Sequence, residues 1–362
     1  MVFLMGCKNV ISFHLCKSYE LSLLLKLGLF KTMPTVNLFK QSSIAKIAEA
    51  YPLCIFDIGA RGGFDTSLWP VAFATEAIGF EPNPDEFELL KAADDDVWMN
   101  LRILPVAVSG ENGIRTLNVP SDPVGASLLG PTKLYGPAQT KTQFFDVVET
   151  HQVETETLDH ILTHFDLSPP EYLKLDIEGV ELEVLKSSPI TLNHTMAVKV
   201  EVAYGKHRAD QPLASEIMTF MEQQGFVLMD LIEPSHWRTT STVPHPLMDK
   251  TPIPYSRGQI AHGDLLYYRR PHLLNAGDTI DVGRHLQLAL IAMSFGYFDF
   301  AEDIFNDTDV LSEAKRLGCP DPHVELAQLS KKVGRIEAKR ALWKQIWGFG
   351  PFVRRIKNLI FT

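Results

Sequence analysis

Cysteine is scarce. Cys7, Cys16, Cys54 and Cys319 are spread over 362 residues with no CxxC pair and no repeated spacing. That scatter argues against a disulfide framework and a cysteine-ligated zinc site, and a reducing, cytoplasmic setting is the expectation. Positive charge is short as well: 34 Lys and Arg face 44 Asp and Glu, a net of −10. Bulk nucleic-acid binding needs a basic footprint, so no nucleic-acid partner is expected. Long apolar runs are missing too. "LSLLLKLGLF" at 21–30 is interrupted by Lys26 and falls short of the roughly eighteen residues that a bilayer span needs. The first 32 residues also lack a clear basic n-region and a small-residue cleavage site, so a secretory signal fits poorly. An amphipathic helix on the domain edge is the better reading there, and Met33 is an alternative start.

What is present suffices for a full core, with 45% hydrophobic and 22% charged residues. From residue 53 strands and helices alternate. "LCIFDIG" (53–59) is a continuous apolar run, as in a buried parallel strand. "EAIGFEPNP" (76–84) gives a second strand, "DEFELLKAA" a helix and "LRILPVAVS" (101–109) a third strand. Residues 110–150 show turn formers without a clear period, and "VGAS" (124–127) sits in a long loop placed to close over an acceptor. "FFDVVETHQVETETLDHIL" reads as extended chain running into a helix. In "YLKLDIEGVELEVLKSS" (172–188) the period changes from two to helical at Gly179. "MAVKVEVAY", "LASEIMTFMEQQG", "FVLMDLI" and "DLLYYRR" continue the series, with the last two strands expected antiparallel. Three regions follow: a helical extension over 1–52, a mostly parallel α/β domain over 53–270 and a helical extension over 271–362. "RHLQLALIAMSFGYFDFAEDIF" (284–305) reads as two helices joined at Gly296-Tyr297, an appendage packed on the main domain.

Ligands of open parallel sheets bind beyond the carboxyl ends of the strands. That rule puts Asp57, Gly59, Glu81, Val106, Asp176, Glu178 and Glu201 on one rim. Gly59, Gly62 and Gly63 in "FDIGARGGF" allow a tight turn and close backbone approach. Glu81 lies 22 residues after Gly59, where a carboxylate can accept hydrogen bonds from both ribose hydroxyls of a nucleoside cofactor. "GARGG" fails the GxGxxG pattern. Asp57 would repel a pyrophosphate near this turn, whereas S-adenosylmethionine carries an ammonium and a sulfonium and no phosphate. S-adenosylmethionine is therefore the expected cofactor.

"FDIGARGGF", "GFEPNP", "PVAVS", "YLKLDIEGVELEVLKSS" and "DLLYYRR" together resemble an FkbM-type methyltransferase, in order over residues 53–270. The resemblance implies a Rossmann-like class I methyltransferase fold: a mostly parallel seven-stranded sheet with helices on both faces. It also implies S-adenosylmethionine as donor and mostly hydroxyl acceptors on sugars or natural products. Asp57, Gly59, Arg61, Gly62, Glu81, Val106 and Asp176 are the expected cofactor contacts, with Arg61 where the family often has Asn.

A hydroxyl acceptor holds its proton too tightly to attack unaided, and a positioned base contributes roughly 100- to 10,000-fold. Asp176 is the first candidate and Glu201 a second. Glu178 is a further catalytic candidate and is also expected to cap the following helix, with Glu181 and Glu183 as helix-surface charges. Asp176, Glu178 and Glu201 could hold Mg²⁺ with waters, but salt bridges to Lys174 or Lys199 are simpler, so no metal is expected. "SPPEY" (168–172) departs from the SPPY-type motif of amino-methylating enzymes in both sequence and position. His207, His236, His245 and His262 read as surface or loop residues. The alternatives to a methyltransferase are an NAD-dependent oxidoreductase and a non-catalytic methyltransferase-like scaffold.

The last 32 residues differ from the rest. Residues 331–362 hold nine Lys or Arg against one Glu, a net of +8 in a chain of −10. Trp343, Ile346, Trp347, Phe352, Ile356, Leu359 and Ile360 recur at helical spacing, with a break near Gly348, Gly350 and Pro351. Such a helix suits the surface of an anionic membrane, which would place the protein peripherally at the inner membrane face. Packing on the protein's own acidic domain is the other reading.

Overall fold

The structure, a computed structural model, describes residues 35–93, 96–132, 136–239, 257–275 and 279–348. The readings of residues 1–34, of His245 and of the tail beyond Gly348 fall outside these.

The main sheet has seven strands: β1 (Leu53–Ile58), β2 (Thr75–Phe80), β3 (Asn100–Leu104), β7 (Tyr172–Leu175), β8 (Ala197–Ala203), β9 (Phe226–Trp237) and β10 (Gln259–Arg269). Its order is β3-β2-β1-β7-β8-β10-β9. Every neighbouring pair is parallel except those made by β10, which runs antiparallel to both β8 and β9. This is the class I methyltransferase arrangement. The order reverses between β1 and β7, so the carboxyl ends of those two strands open a crevice.

Both faces of the sheet are covered, which explains why β1 reads as a near-continuous apolar run. Phe56, Ile58, Leu173, Leu175, Val198 and Val200 share one core with α3 (Leu158–His164), α4 (Glu181–Ser187), α5 (Pro189–His194) and α6 (Ala214–Gln223). Leu53, Ile55, Tyr172, Ala197 and Tyr268 face the other way. They pack with α1 (Ile44–Ala50), α7 (Val282–Ser294), α8 (Phe298–Phe305), α9 (Thr308–Arg316) and the start of α10 (Pro322–Gly348). The carboxy-terminal helices therefore form one layer of the same core, and α7 and α8 meet at Gly296-Tyr297 as expected.

Two expectations change. The strand expected over 101–109 stops at Leu104, because Pro105 has no N–H to continue the ladder; the chain then enters a second sheet as β4 (Ala107–Val108). Residues 110–150, which show no clear period, contain β5 (Gly113–Pro120). It pairs antiparallel with β6 (Val147–Glu156), giving a three-stranded sheet of order β4-β6-β5 beside the crevice. Helix α2 (Pro84–Ala92) starts at Asn83, whose side chain caps the N–H groups of Asp85 and Glu86. Along α10, Leu326 and Leu329 are buried, but residues 331–342 are exposed apart from half-buried Val333 and Ile336. The described part of the basic segment thus stands away from the body. No helix among the described residues is long and apolar enough to cross a membrane.

Candidate active site

The turn after β1 is forced by its neighbour. Gly59 has φ of 84°, and a Cβ there would lie 2.0 Å from the carbonyl oxygen of Asp176, so no side chain fits. Asp176 N–H in turn donates to Ile58 O at 3.0 Å, locking the tips of β1 and β7 together. Past the turn, Gly62 N–H donates to Glu86 Oε1 at 3.0 Å and the Arg61 guanidinium donates to Pro123 O at 3.1 Å. Arg61 thereby ties the glycine loop to the "VGAS" loop across the opening.

A cleft of about 320 Å³ lies between these loops, lined by Gly59, Arg61, Gly62, Glu81, Val106, Asp176 and Glu178 together with apolar side chains from β1, β2 and the small sheet. Glu81 is only 4% exposed, and its Oε1 accepts the N–H of Asn83 at 2.7 Å. Burial pushes its carboxyl up, and the Asn83 N–H and the Arg61 charge pull partly back. A deep carboxylate beside apolar walls is the donor-acceptor set that a nucleoside needs: ribose hydroxyls on Glu81 and a base between aliphatic side chains.

Six of the seven expected cofactor residues meet in this cleft. Asp57 does not. It is 1% exposed behind the cleft floor, where its Oδ2 accepts the N–H of Asp65 at 2.7 Å and its Oδ1 lies 3.1 Å from Lys174 Nζ. Burial pushes its carboxyl up and Lys174 opposes that. Lys174 neutralises the charge expected to repel a pyrophosphate, so Asp57 does not discriminate between cofactors.

The four carboxylates of the β7–α4 junction have separate partners. Asp176 Oδ2 lies 3.4 Å from Lys174 Nζ. Glu178, in the left-handed region at φ 62°, does not cap α4. Its Oε2 takes a 2.6 Å hydrogen bond from Arg208, whose Nε donates to Glu178 O at 2.8 Å. No side chain caps α4; Glu181, which is 3% exposed rather than a surface charge, braces the loop that leads into the helix. Its Oε1 accepts the N–H groups of Ile177 and Gly179 at 3.1 and 3.0 Å. Burial pushes the Glu181 carboxyl up to about 7, against those N–H bonds. Glu183 is half-exposed and pairs with Arg115. Lys199, considered as a partner for this cluster, instead lies near Asp65 and Asp264.

A second cavity of about 420 Å³ adjoins the cleft, and Val124 and Glu178 line both. Glu201 lines it, with its Oε1 2.8 Å from His262 Nδ1. Burial and the charges of Glu178 and Asp176 push the Glu201 carboxyl well up; burial pushes the His262 imidazole down. Phe145, His207 and Trp237 form an aromatic wall, with the Trp237 ring 4.7 Å from that of His207 and 5.4 Å from that of His262. His207 and His262 are thus site residues rather than the surface residues expected; His236, on β9, is exposed. Arg208, 3% exposed, ties the "VGAS" loop to Glu178 through Gly125 O at 2.9 Å. The pairing of β8 with β10, which sets Glu201 opposite Asp264 and Ala203 opposite His262, is the signal that could have found His262. Asp176, Glu178 and Glu201 offer oxygens within 4.8 Å of one another, yet each already faces its own cation or imidazole.

Residues 57–228 match the methyltransferase FkbM domain. This part of the chain is an FkbM-type methyltransferase domain. Over 181 residues the chain is 24% identical to the hexuronic acid methyltransferase AglP of Haloferax volcanii, covering 48% of this chain and 69% of that protein. Structural likeness is low. An rRNA methylase from Streptococcus thermophilus matches at 11% identity and a TM-score of 0.30, over 63% of this chain and 94% of that one. Precorrin-6y C5,15-methyltransferase from Geobacter metallireducens matches at 9% and 0.28, over 63% and 86%. Likeness at that level says nothing of acceptor or activity. The FkbM domain contains the cleft, Glu178, Glu201 and Arg208; His262 lies beyond its matched end.

Proposed function

We propose that the protein is an S-adenosylmethionine-dependent O-methyltransferase acting on a hydroxyl of a glycan or glycolipid. The observation that carries this reading is the Glu201–His262 pair, 2.8 Å apart, in a cavity that shares Glu178 and Val124 with the cleft. When bound, S-adenosylmethionine supplies an electrophilic methyl group on a sulfonium. The FkbM domain supports that donor, as do the buried Glu81 for a ribose and the acidic rim for a positive charge.

In the second cavity the chain's task is to accept a proton. A hydroxyl needs a base as it attacks, and the Glu201–His262 pair is placed to take that proton. Glu178, fixed by Arg208, and Asp176, beside Lys174, stand as paired charges near the border of the two cavities. A carboxylate acceptor needs no base, and it would meet Glu178, Glu181 and Glu201, which line this cavity together with Lys141 and Arg208. The relative's name concerns a sugar acid; this cavity favours a neutral sugar hydroxyl, with the Trp237 wall offering an apolar face to a sugar ring.

The test is calorimetry with S-adenosylmethionine, S-adenosylhomocysteine and NAD in parallel, followed by methyl-transfer assays on neutral glycosides and on uronic acids. Binding of NAD and neither sulfur compound would overturn the donor. Transfer to the uronic carboxylate alone would overturn the hydroxyl reading.

A further inference from the structure

Away from the cleft, three side chains converge on the outer end of the small sheet. Glu156 closes β6. Its backbone is held by Ser109 N–H, which donates to Glu156 O at 3.0 Å, and by its pairing with Val108 of β4. His160 and His164, four residues apart on α3, share one helix face. His160 Nδ1 lies 2.8 Å from Glu156 Oε2, and His164 Nδ1 lies 3.0 Å from both carboxylate oxygens. The neighbouring acid, Asp159, points elsewhere: it accepts the N–H groups of Ile190 and Thr191.

We propose that Glu156, His160 and His164 form a binding site for Zn²⁺. Two imidazole nitrogens and one carboxylate suit a borderline divalent ion, and they disfavour Mg²⁺ and Ca²⁺, which take oxygen. The donor atoms lie within 4.8 Å of one another. Ligands about 2.0–2.2 Å from a tetrahedral zinc sit roughly 3.3 Å apart, so the 2.8–3.0 Å pairs need open by only a few tenths of an ångström. Glu156 is buried at its base, with a side chain 12% exposed, while His160 and His164 are half-exposed at 50% and 52%. The carboxylate is therefore fixed, the imidazoles can adjust, and the outer side remains open to water as a fourth ligand. Without metal the same contacts are His-to-carboxylate hydrogen bonds; binding displaces those protons. Occupancy would clamp α3 to the sheet whose strands β4 and β5 line the cleft, through Ala107, Val108, Leu117 and Val119.

The experiment is a calorimetric titration of chelator-treated full-length protein with Zn²⁺ in excess Mg²⁺, with Co²⁺ absorption as a second readout. The wild type should bind one Zn²⁺ at this site, and Co²⁺ should give visible bands of low coordination number. Loss of outer-shell partners alone costs about 10- to 100-fold in metal affinity, so His160→Ala and His164→Ala should each cost at least that and abolish the Co²⁺ bands. Both substitutions are at half-exposed positions, and circular dichroism checks the fold; Glu156→Gln gives a third, independent variant. No Zn²⁺ binding by the wild type, or binding undiminished in the variants, overturns the site.

Discussion

Lys174 Nζ lies 3.1 Å from Asp57 Oδ1 on the buried face between β1 and β7. The same ammonium lies 3.4 Å from Asp176 Oδ2, which reaches the cleft. One cation thus joins a carboxylate that stabilises the fold to one that faces the ligand. Burial lowers and the three nearby carboxylates raise the Lys174 ammonium, which ends well above its usual value. Lys174→Met leaves Asp57 buried without its partner, and breaking such a pair costs about 3–5 kcal/mol. Urea unfolding of Lys174→Met should show a loss of that order, and the double variant with Asp57→Asn should recover much of it. A single variant as stable as wild type would show that the pair does not hold the floor of the site.

Glu81→Ala should weaken cofactor binding. Hydrogen bonds to a charged group contribute about 1.5–3 kcal/mol each, so losing two costs on the order of 100-fold or more in affinity. Asp176→Asn is the contrast: turnover should fall while affinity for S-adenosylhomocysteine stays within a few fold. An unchanged dissociation constant in Glu81→Ala removes the ribose assignment. A collapse of affinity in Asp176→Asn moves that residue to the methionine end.

How far these residues were legible follows from their positions. Gly59, Glu81 and Asp176 each follow the last residue of a strand, and an apolar or alternating run marks where a strand ends. Val106 lies in the break between β3 and β4, which the expected strand over 101–109 hid. Asp57 and Lys174 stand on strands, but a strand pattern does not tell which charged residues turn towards one another across two strands. Glu181 looked like a surface charge because helical spacing cannot show that the turn before it leaves two N–H groups to satisfy. Arg208 and His262 were hidden differently: each acts through a partner 30 or 61 residues away. Residues 110–150 hide β5 because Gly113–Pro120 faces solvent on much of its length, leaving no apolar run to read.

The Glu201–His262 pair should set the acid side of the activity profile. Base action needs the pair short of its last proton, so turnover should rise with pH along one limb whose apparent value belongs to both groups. Because Glu201 is pushed up, that limb should lie above the ordinary carboxylate range. His262→Ala should lower turnover roughly 100-fold or more and shift or remove the limb, with cofactor affinity unchanged. Lower turnover with the limb intact would reduce His262 to packing against Trp237.

Stability should depend on pH through Glu181. Its folded value of about 7 exceeds the ordinary 4.5, so the native state holds its proton more tightly than the unfolded chain. Stability from this group is therefore fully present below pH 4.5 and is lost as pH rises through 7, a difference of about 3 kcal/mol. Glu181→Gln still offers an oxygen to Ile177 and Gly179 N–H. Its stability relative to wild type should rise between pH 5 and pH 8. Parallel melting curves for the two proteins across that range would show that Glu181 titrates normally.

The basic helix gives the last expectation. Residues 331–342 of α10 are largely exposed, and the segment 331–362 carries nine Lys or Arg against one Glu. Self-packing would have buried that face against the acidic body; in the described part it is not buried. Near an anionic surface each basic side chain contributes about 1 kcal/mol, and the contribution falls within a Debye length. Full-length protein should therefore sediment with phosphatidylserine-containing vesicles at low salt and release as salt rises, while a chain ending at Ser330 should stay in solution. Neutral vesicles serve as the control for apolar adhesion. If both chains sediment equally, or neither does, the helix does not carry the protein to a lipid-linked acceptor, and its charge must be assigned to contacts in solution.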